Sequence, residues 1–197
     1  MRSLKFSFVL KILKDNNLDI NDYKNFLETG TYKGDTIFPI SKHFDKLYTI
    51  EICEKAYKFC KKNARIKKIT NINFYLGDSS IIMKDIICKI EENLIIFLDG
   101  HVTDNKSGFT SGGIKDCPLL EELETITNNF HKKCIIIIDD ARLLGHKKGK
   151  ETANCDWTDI TYENIVDKLD ATRLDKIYFE DGEKSKNDRI IIIYNSK

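Results

Sequence analysis

A short apolar run, an acid and a glycine turn follow one another in Phe26-Leu27-Glu28-Thr29-Gly30-Thr31-Tyr32-Lys33-Gly34. This order is typical of a buried strand that ends in a tight turn and leads into a helix. Glycine can adopt the positive φ of such a turn, and its missing Cβ lets a ligand approach the backbone. The segment therefore predicts a ligand-binding turn after a first strand.

Four later apolar runs also end in acids, which are Glu51, Asp78, Asp99 and the pair Asp139-Asp140. An acid after a strand is an ordinary turn residue, so each run alone has a purely structural explanation. In an open parallel sheet, however, ligands bind beyond the carboxyl ends of the strands. The ordered set of acids therefore predicts one cleft along one edge of one sheet.

Apolar runs alternate with amphipathic segments along the chain. The runs predict strands at residues 25–28, 46–51, 72–76, 94–99 and 134–139. Helices are predicted at residues 3–16, 35–44, 53–65, 79–92 and 117–129. The strands are too uniformly apolar to be half exposed, as expected for a parallel sheet that helices cover on both faces. The alternation predicts a doubly wound α/β fold.

The end of the chain breaks this alternation. Residues 176–180 and 189–194 are apolar runs joined by the short polar segment 181–188. That segment cannot hold a crossover helix, so the two strands are predicted to pair as an antiparallel hairpin. The complete prediction is a mostly parallel seven-stranded sheet in a single domain, residues 1–197, with residues 1–20 as a helical lid or extension. A terminal hairpin disfavours a dinucleotide dehydrogenase.

Charge and composition restrict the classes of partner. The 197 residues include 32 basic and 31 acidic side chains in a mixed order, with a formal net charge of +1. This gives no electrostatic case for nucleic acid. No apolar run approaches the roughly 18 residues that span a bilayer, and the amino terminus is not typical of a signal peptide. Six dispersed cysteines indicate reduced thiols in a cytoplasmic protein, in the host cytoplasm for a viral source.

The set of motifs resembles the class I S-adenosylmethionine-dependent methyltransferases over almost the whole chain. Residues 28–34 look like the acid-x-Gly-x-x-x-Gly motif of that family, with Tyr32 where many members have a middle glycine. The resemblance implies that Glu51 holds the ribose hydroxyls and that Asp78 lies by the adenine amine. The residues that it implies for the cofactor are Glu28, Thr29, Gly30, Thr31, Tyr32, Gly34, Glu51, Ile52, Gly77, Asp78, Ser79 and Asp99. Glu51 alone would also suit NAD.

A closer resemblance is to metal-dependent O-methyltransferases that act on sugar hydroxyls. In these proteins an Asp after strand four and an acidic pair after strand five hold Mg²⁺, which implies a metal site at Asp99, Asp139 and Asp140. Mg²⁺ prefers oxygen ligands and leaves room for substrate oxygens, and it lowers the pKa of a bound hydroxyl. The alternative is that Asp139 ends a strand and Asp140 caps a helix.

Four segments also look like an uncharacterised branch of that family found among glycan-synthesis genes. They are Leu98-Asp99-Gly100-His101, Ser111-Gly112-Gly113, Asp116-Cys117-Pro118-Leu119-Leu120-Glu121-Glu122-Leu123 and Ile138-Asp139-Asp140-Ala141-Arg142.

Methyl transfer to a hydroxyl needs a base. His101 and His146 both follow strands and reach the predicted cleft. His101, beside Asp99, is the predicted catalytic base, because a neutral imidazole with a pKa of about 6.5 can accept the proton. The predicted substrate contacts are His101, Arg142, His146 and Trp157. The loop 107–113 and the segment around Trp157 would gate the acceptor.

The favoured hypothesis is a Mg²⁺-assisted O-methyltransferase that acts on a sugar hydroxyl, here of a nucleotide sugar in glycan biosynthesis. Arg142 and Lys147-Lys148 would bind its diphosphate, or they are solvated charges. One alternative is a metal-dependent transferase that uses a sugar nucleotide without S-adenosylmethionine. Another is a non-catalytic binding module. The expected partner is a small molecule rather than nucleic acid or a membrane, and a homo-oligomer is left open.

Overall fold

One mixed seven-stranded sheet organises the computed structural model, which describes residues 3–102, 108–149, 155–183 and 185–197. The strands are β1 (Asn25–Thr29), β2 (Lys46–Glu51), β3 (Ile72–Leu76), β4 (Leu94–Leu98), β5 (Cys134–Ile138), β6 (Leu174–Glu180) and β7 (Arg189–Tyr194). Their spatial order is β3-β2-β1-β4-β5-β7-β6. β1 to β5 pair in parallel, and β7 is antiparallel to both β5 and β6. The predicted mostly parallel fold with a carboxyl-terminal antiparallel hairpin is confirmed.

Helices cover the two faces of the sheet. They are α1 (Phe6–Asp15), α2 (Ile37–Ile40), α3 (Glu54–Ile66), α4 (Ser79–Ile87), α5 (Leu119–Asn129) and α6 (Tyr162–Asp167). The helix predicted at residues 35–44 is only α2 followed by a 3-10 turn, Ser41–His43. Pro39 lies within α2 and lacks the N–H that a longer helix would use. The short α6 was not predicted.

The amino-terminal helix is a layer of the core. Val9, Ile12 and Leu13 of α1 are buried in one apolar cluster with Phe26 and Ile95 of the sheet. Burying each such side chain stabilises the fold by about 1.5–3 kcal/mol. α1 therefore seals a face of the sheet, and a helical lid or extension at residues 1–20 stays a prediction. Among the described helices, none is both long and apolar enough to cross a bilayer.

The register of the strands brings their ends together. Thr29 of β1 pairs with Ile50 of β2 and with Leu98 of β4, and Leu98 pairs with Ile138 of β5. Ile138 in turn pairs with Ile190 of β7. The turns after β1, β2, β4 and β5 therefore leave the sheet at one level, which positions their acids along one edge.

Candidate functional site

An open cleft of about 540 Å³ lies at this edge. It is lined by most of the residues predicted for the cofactor, namely Gly30, Tyr32, Glu51, Ile52, Gly77, Asp78, Ser79 and Asp99. His101, the predicted base, lies on the same wall as Asp99. The remaining predicted cofactor residues, Glu28, Thr29, Thr31 and Gly34, do not line it.

Gly30 allows two strand-end turns to touch. Its φ is 80°, in the left-handed region that favours glycine, and an added Cβ would overlap the carbonyl oxygen of Asp99. Its N–H donates to the carbonyl of Ile50 at 3.0 Å. The first glycine of the motif is thus required for the turn after β1 to pack against the end of β4.

Glu28 and Thr31 form a buried network behind this turn. The Thr49 hydroxyl donates to Glu28 Oε1 at 2.8 Å, and the Thr31 and Thr49 hydroxyls are 2.5 Å apart. Burial raises the pKa of Glu28 well above its usual range. These residues therefore support the turn, which differs from the direct cofactor contact that the motif implied.

Glu51 presents a fixed carboxylate to the cleft. Its Oε2 accepts the N–H of Tyr32 and its Oε1 accepts the N–H of Cys53, each at 2.7 Å. Burial raises the pKa of Glu51, although the backbone donors oppose this shift. A carboxylate oxygen has more than one acceptor site, so a ligand diol can bind without displacing these backbone groups.

Asp78 connects α4 to the glycine-rich loop. Its Oδ1 accepts from Ser80 N and caps α4, while its Oδ2 accepts the N–H of Ile114 at 2.9 Å. An added Cβ on Gly113 would overlap Asp78 Oδ2. The described part of the loop therefore lies against the acid that was predicted near the adenine, and Gly113 permits this close approach.

A second group of polar side chains continues the cleft at the ends of β4 and β5. His101 Nδ1 lies 3.5 Å from Asp99 Oδ1, and His101 Nε2 lies 3.1 Å from Asp140 Oδ2. One ligand-type atom from each of the three residues lies within 4.8 Å of the others, as a bound metal ion would require. Asp140 has a left-handed φ of 61°, a conformation that Asp tolerates better than most residues.

Electrostatics differ between the two acids of this group. Burial raises the pKa of Asp99 well above its usual range, and the charges of Asp139 and Asp140 add to the shift. Burial also opposes ionisation of Asp140, but the hydrogen bond and charge of His101, together with Arg142, lower the pKa of Asp140 to about 2. Asp140 is therefore the acid that holds its negative charge against His101.

The structure differs from the expected metal set at Asp139. Asp139 Oδ1 accepts from Arg189 Nε at 2.9 Å, and both side chains are only 2% exposed. Consecutive residues at a strand end point in different directions, so Asp139 meets β7 while Asp140 meets His101. The group brought together is Asp99, His101 and Asp140 rather than Asp99, Asp139 and Asp140.

Arg142 is paired with acids at the end of β5 and before β7. Its Nη1 contacts both Asp188 oxygens, at 2.9 and 3.0 Å, and also Asp140. Lys148 Nζ is paired with Asp116 at 2.6 Å. Two of the three cations that were expected to meet a diphosphate, Arg142 and Lys148, are therefore paired with acids of the protein itself.

Trp157 packs against His101 and contacts the backbone of His146. The ring of Trp157, which is 2% exposed, lies edge-on to His101 with centroids 5.3 Å apart. Its Nε1 donates to Cys155 Sγ at 2.7 Å, and its backbone N–H donates to the His146 carbonyl. Trp157 thus restrains the His101 ring. Residues 103–107, which include part of the predicted gating loop, lie outside the described residues.

Two buried residues at the site were not predicted, Arg189 and Glu122. Arg189 is the first residue of β7, and only the strand order brings it to Asp139. Glu122 on α5 accepts from the Ser79 hydroxyl at 2.5 Å, and burial raises its pKa to about 7. The sequence feature that could have indicated Glu122 is an acidic residue within the apolar stripe of a predicted helix.

Comparison with solved structures identifies the fold. Neither a protein-family model nor a curated protein matches the chain. An O-methyltransferase of tomaymycin synthesis from Streptomyces achromogenes, solved with S-adenosylmethionine, has a TM-score of 0.61 at 13% identity, covering 96% of this chain and 89% of that one. An S-adenosylmethionine-dependent methyltransferase from Clostridium acetobutylicum has a TM-score of 0.58 at 12% identity, covering 97% and 90%.

An rRNA methylase from Streptococcus thermophilus is also similar, with a TM-score of 0.54 at 13% identity and 89% of each chain covered. Identities this low establish the fold and nothing finer. The chain has the Rossmann-like, seven-stranded methyltransferase fold. The fold alone does not define an activity, which depends on the residues that line the cleft.

Proposed function

We propose that this protein is an S-adenosylmethionine-dependent O-methyltransferase that acts, with a divalent cation, on a sugar hydroxyl of a nucleotide sugar. One observation carries the proposal. A single cleft bears the Gly30 turn and the Glu51 carboxylate together with Asp99 and His101. A methyl donor held by the first pair would face an acceptor held by the second.

The cofactor half of the cleft fits an adenosyl amino acid. Gly30 lines the cleft, and Glu51 is already oriented by two backbone donors. Ile52 offers an apolar contact beside Glu51, and Asp78 lies next to it. S-adenosylmethionine, when bound, supplies an electrophilic methyl group. The residues of the protein orient this methyl group and hold the acceptor in line with it. Such positioning supplies a large part of the rate enhancement.

The donor set at Asp99, His101 and Asp140 fits a divalent cation. Two carboxylates suit Mg²⁺, and an imidazole also suits Mn²⁺ or Zn²⁺. A bound cation would lower the pKa of the acceptor hydroxyl. His101 faces a carboxylate with each ring nitrogen, so its side chain can either ligate the cation or take the acceptor proton, and Trp157 fixes its orientation for either task.

The cleft has a polar part beside the apolar Val102, Phe109 and Pro118. Its described lining includes Thr110, Ser111, Lys115 and Asp116. Hydroxyl, ammonium and carboxylate groups of this kind bind polyhydroxylated molecules through hydrogen bonds. The one tryptophan of the chain is buried against His101 rather than exposed to an aromatic acceptor. The buried position of Trp157 favours a sugar over a catechol.

Calorimetry with S-adenosylhomocysteine, followed by a methyl-transfer assay, tests the proposal. We expect S-adenosylhomocysteine to bind with or without chelator, and methyl transfer to nucleotide sugars only when Mg²⁺, Mn²⁺ or a similar ion is present. Failure to bind S-adenosylhomocysteine would remove the methyltransferase assignment. Turnover at the same rate in chelator would exclude a role for the cation. Turnover with catechols alone would exclude a sugar as the acceptor.

RNA is a second candidate acceptor, favoured by the exposed side of α3. This helix carries the exposed cations Lys55, Lys58, Lys61, Lys62 and Arg65 against a single acid, Glu54. Lys55 Nζ lies 4.5 Å from the ring of Phe109, which lines the cleft. Cations in a row beside a cleft fit a phosphate backbone.

The RNA candidate differs from the expectation of no nucleic acid and has its own test. Filter binding of RNA should weaken steeply with salt. It should also weaken in a Lys58→Gln, Lys62→Gln double variant, but not in a Lys84→Gln control on α4. Methyl transfer to RNA and not to sugars would establish this candidate in place of the first.

A further inference from the structure

A second groove lies between α1 and the β6–β7 turn. It has a volume of about 550 Å³ and is lined by Lys5, Ser7, Phe8, Lys11, Asp181, Gly182, Glu183 and Arg189. None of these residues lines the cleft described above. We call it the α1 groove.

Arg189 is the buried cation of the α1 groove. Its side chain is 2% exposed, its Nε is bonded to Asp139, and Phe8 lies under the guanidinium at 4.4 Å. Among the described residues, its Nη2 has no hydrogen-bond partner. Buried guanidinium donors are normally paired, because leaving one without an acceptor is unfavourable. The orphaned nitrogen therefore points to an acceptor oxygen supplied from outside.

Two further cations stand at the rim of the α1 groove. Lys5 Nζ is 2.7 Å from Glu183, with side chains 66% and 34% exposed. Lys11 Nζ is 2.7 Å from Glu180, and this hydrogen bond raises the pKa of Lys11. Ion pairs this exposed contribute little to stability. An incoming anion can therefore replace the acid partner of a rim lysine at a small energetic penalty.

We propose that the α1 groove binds a phosphate group of the acceptor, with Arg189 at its floor and Lys5 and Lys11 at its rim. The inference rests on the proposed function and names the anion subsite that a nucleotide sugar needs. Arg142 is paired with the buried Asp188, so, unlike the exposed rim lysines, it does not readily exchange its acid partner for a phosphate.

Arg189 also connects the α1 groove to the candidate metal group. The same side chain holds Asp139, which is the chain neighbour of Asp140 in the candidate metal group. A planar guanidinium can serve two partners at once through different nitrogens. Phosphate bound at Nη2 would leave the Nε bond to Asp139 in place.

Titration of the full-length protein with inorganic phosphate and, separately, with a uridine diphosphate sugar tests the proposal at low salt. The Lys5→Gln, Lys11→Gln double variant changes two exposed residues and should keep the fold. It should weaken both ligands by roughly tenfold or more, because charge-assisted bonds to phosphate are lost. A Lys14→Gln variant, on the same helix but outside the α1 groove, should bind both ligands as the parent does.

Arg189→Lys adds an independent arm, since it keeps a charge near Asp139 but removes Nη2. It should lose phosphate binding, and the rim double variant with its Lys14→Gln control decides the question if Arg189→Lys does not fold. Equal phosphate affinity in the parent and the double variant would overturn the assignment of the α1 groove as a phosphate site. Weakened phosphate with unchanged nucleotide-sugar affinity would overturn the acceptor assignment. S-adenosylhomocysteine affinity, which should be the same in all variants, reports separately on the methyltransferase proposal.

Discussion

The two halves of the sheet edge that carries the cleft hold their acids in different ways. In the β1–β2 half, Glu51 accepts the N–H groups of Tyr32 and Cys53, which belong to the turns that follow these two strands. In the β5–β7 half, Asp139 is paired with Arg189, 50 positions further along the chain. A turn motif fixes the first acid, while the order of strands fixes the second. The consequences of mutation should divide along the same line.

Asp140→Asn should have the largest effect and should act on turnover. The change removes the charge that faces His101 and one candidate metal ligand. Loss of a cation-assisted step lowers a rate by on the order of 10³-fold, equivalent to about 4 kcal/mol. Methyl transfer is measured alongside S-adenosylhomocysteine affinity, which should stay within about twofold by this argument. Asp85→Asn on the exposed side of α4 is the control, and parental turnover in Asp140→Asn would contradict the assignment.

Asp139→Asn should act on stability instead. Removing one partner of a buried ion pair leaves Arg189 uncompensated and costs about 3–5 kcal/mol. Urea unfolding measures this loss, which corresponds to a fall in Tm of roughly 6–20 °C for a chain of this size. An Asp139→Leu, Arg189→Met double variant should recover most of the stability. A stable but inactive Asp139→Asn protein would instead return Asp139 to the metal site and erase the contrast with Asp140.

Glu51→Gln should act on cofactor binding with a smaller effect. The amide keeps one acceptor oxygen and places a donor against a backbone N–H, so both its orientation and its diol contact are impaired. We expect S-adenosylhomocysteine to bind about 10- to 100-fold more weakly, or about 1.5–3 kcal/mol. Glu54→Gln, an exposed acid in the first turn of α3, is the matched control for calorimetry. Equal affinities in the two variants would remove Glu51 from the ribose site.

Gly113→Ala should have the smallest effect of the four. The new Cβ would overlap Asp78 Oδ2, but the loop can shift, so a change in S-adenosylhomocysteine affinity of about three- to tenfold is expected, near 1 kcal/mol. Gly112→Ala is the control, because its Cβ would meet only Val102 at an ordinary 3.7 Å. Identical affinities in the two variants would show that the loop does not bear on the cofactor.

The fold was predictable because its signals are local. Uniformly apolar runs indicated buried parallel strands, and the short polar segment 181–188 excluded a crossover. The helices after β1 and β3 were predicted too long, at 35–44 and 79–92, since the sequence does not reveal where neighbouring elements end the packing of a helix. The short α6 has little periodicity to detect.

The site was predictable only as a set of acids on one edge. Which way each acid points depends on strand register, and a shift of one residue reverses the side of the sheet. The partners of Asp139 and Arg142 lie on or next to β7. No local motif specifies such pairs. The sequence therefore indicated a ligand contact for Arg142 and gave no sign of its ion pair with Asp188.

Insertion of β7 between β5 and β6 has a consequence for synthesis. All six β7 residues are buried, and the strand pairs on both sides. On the ribosome, β5 and β6 emerge before it, and the apolar β5 keeps an unpaired edge until β7 is inserted. Such edges recruit other chains. A nascent chain halted before residue 189 should therefore depend on chaperones and aggregate on release. The sheet is complete only when β7, which follows β5 and β6 in the chain, has been inserted between them.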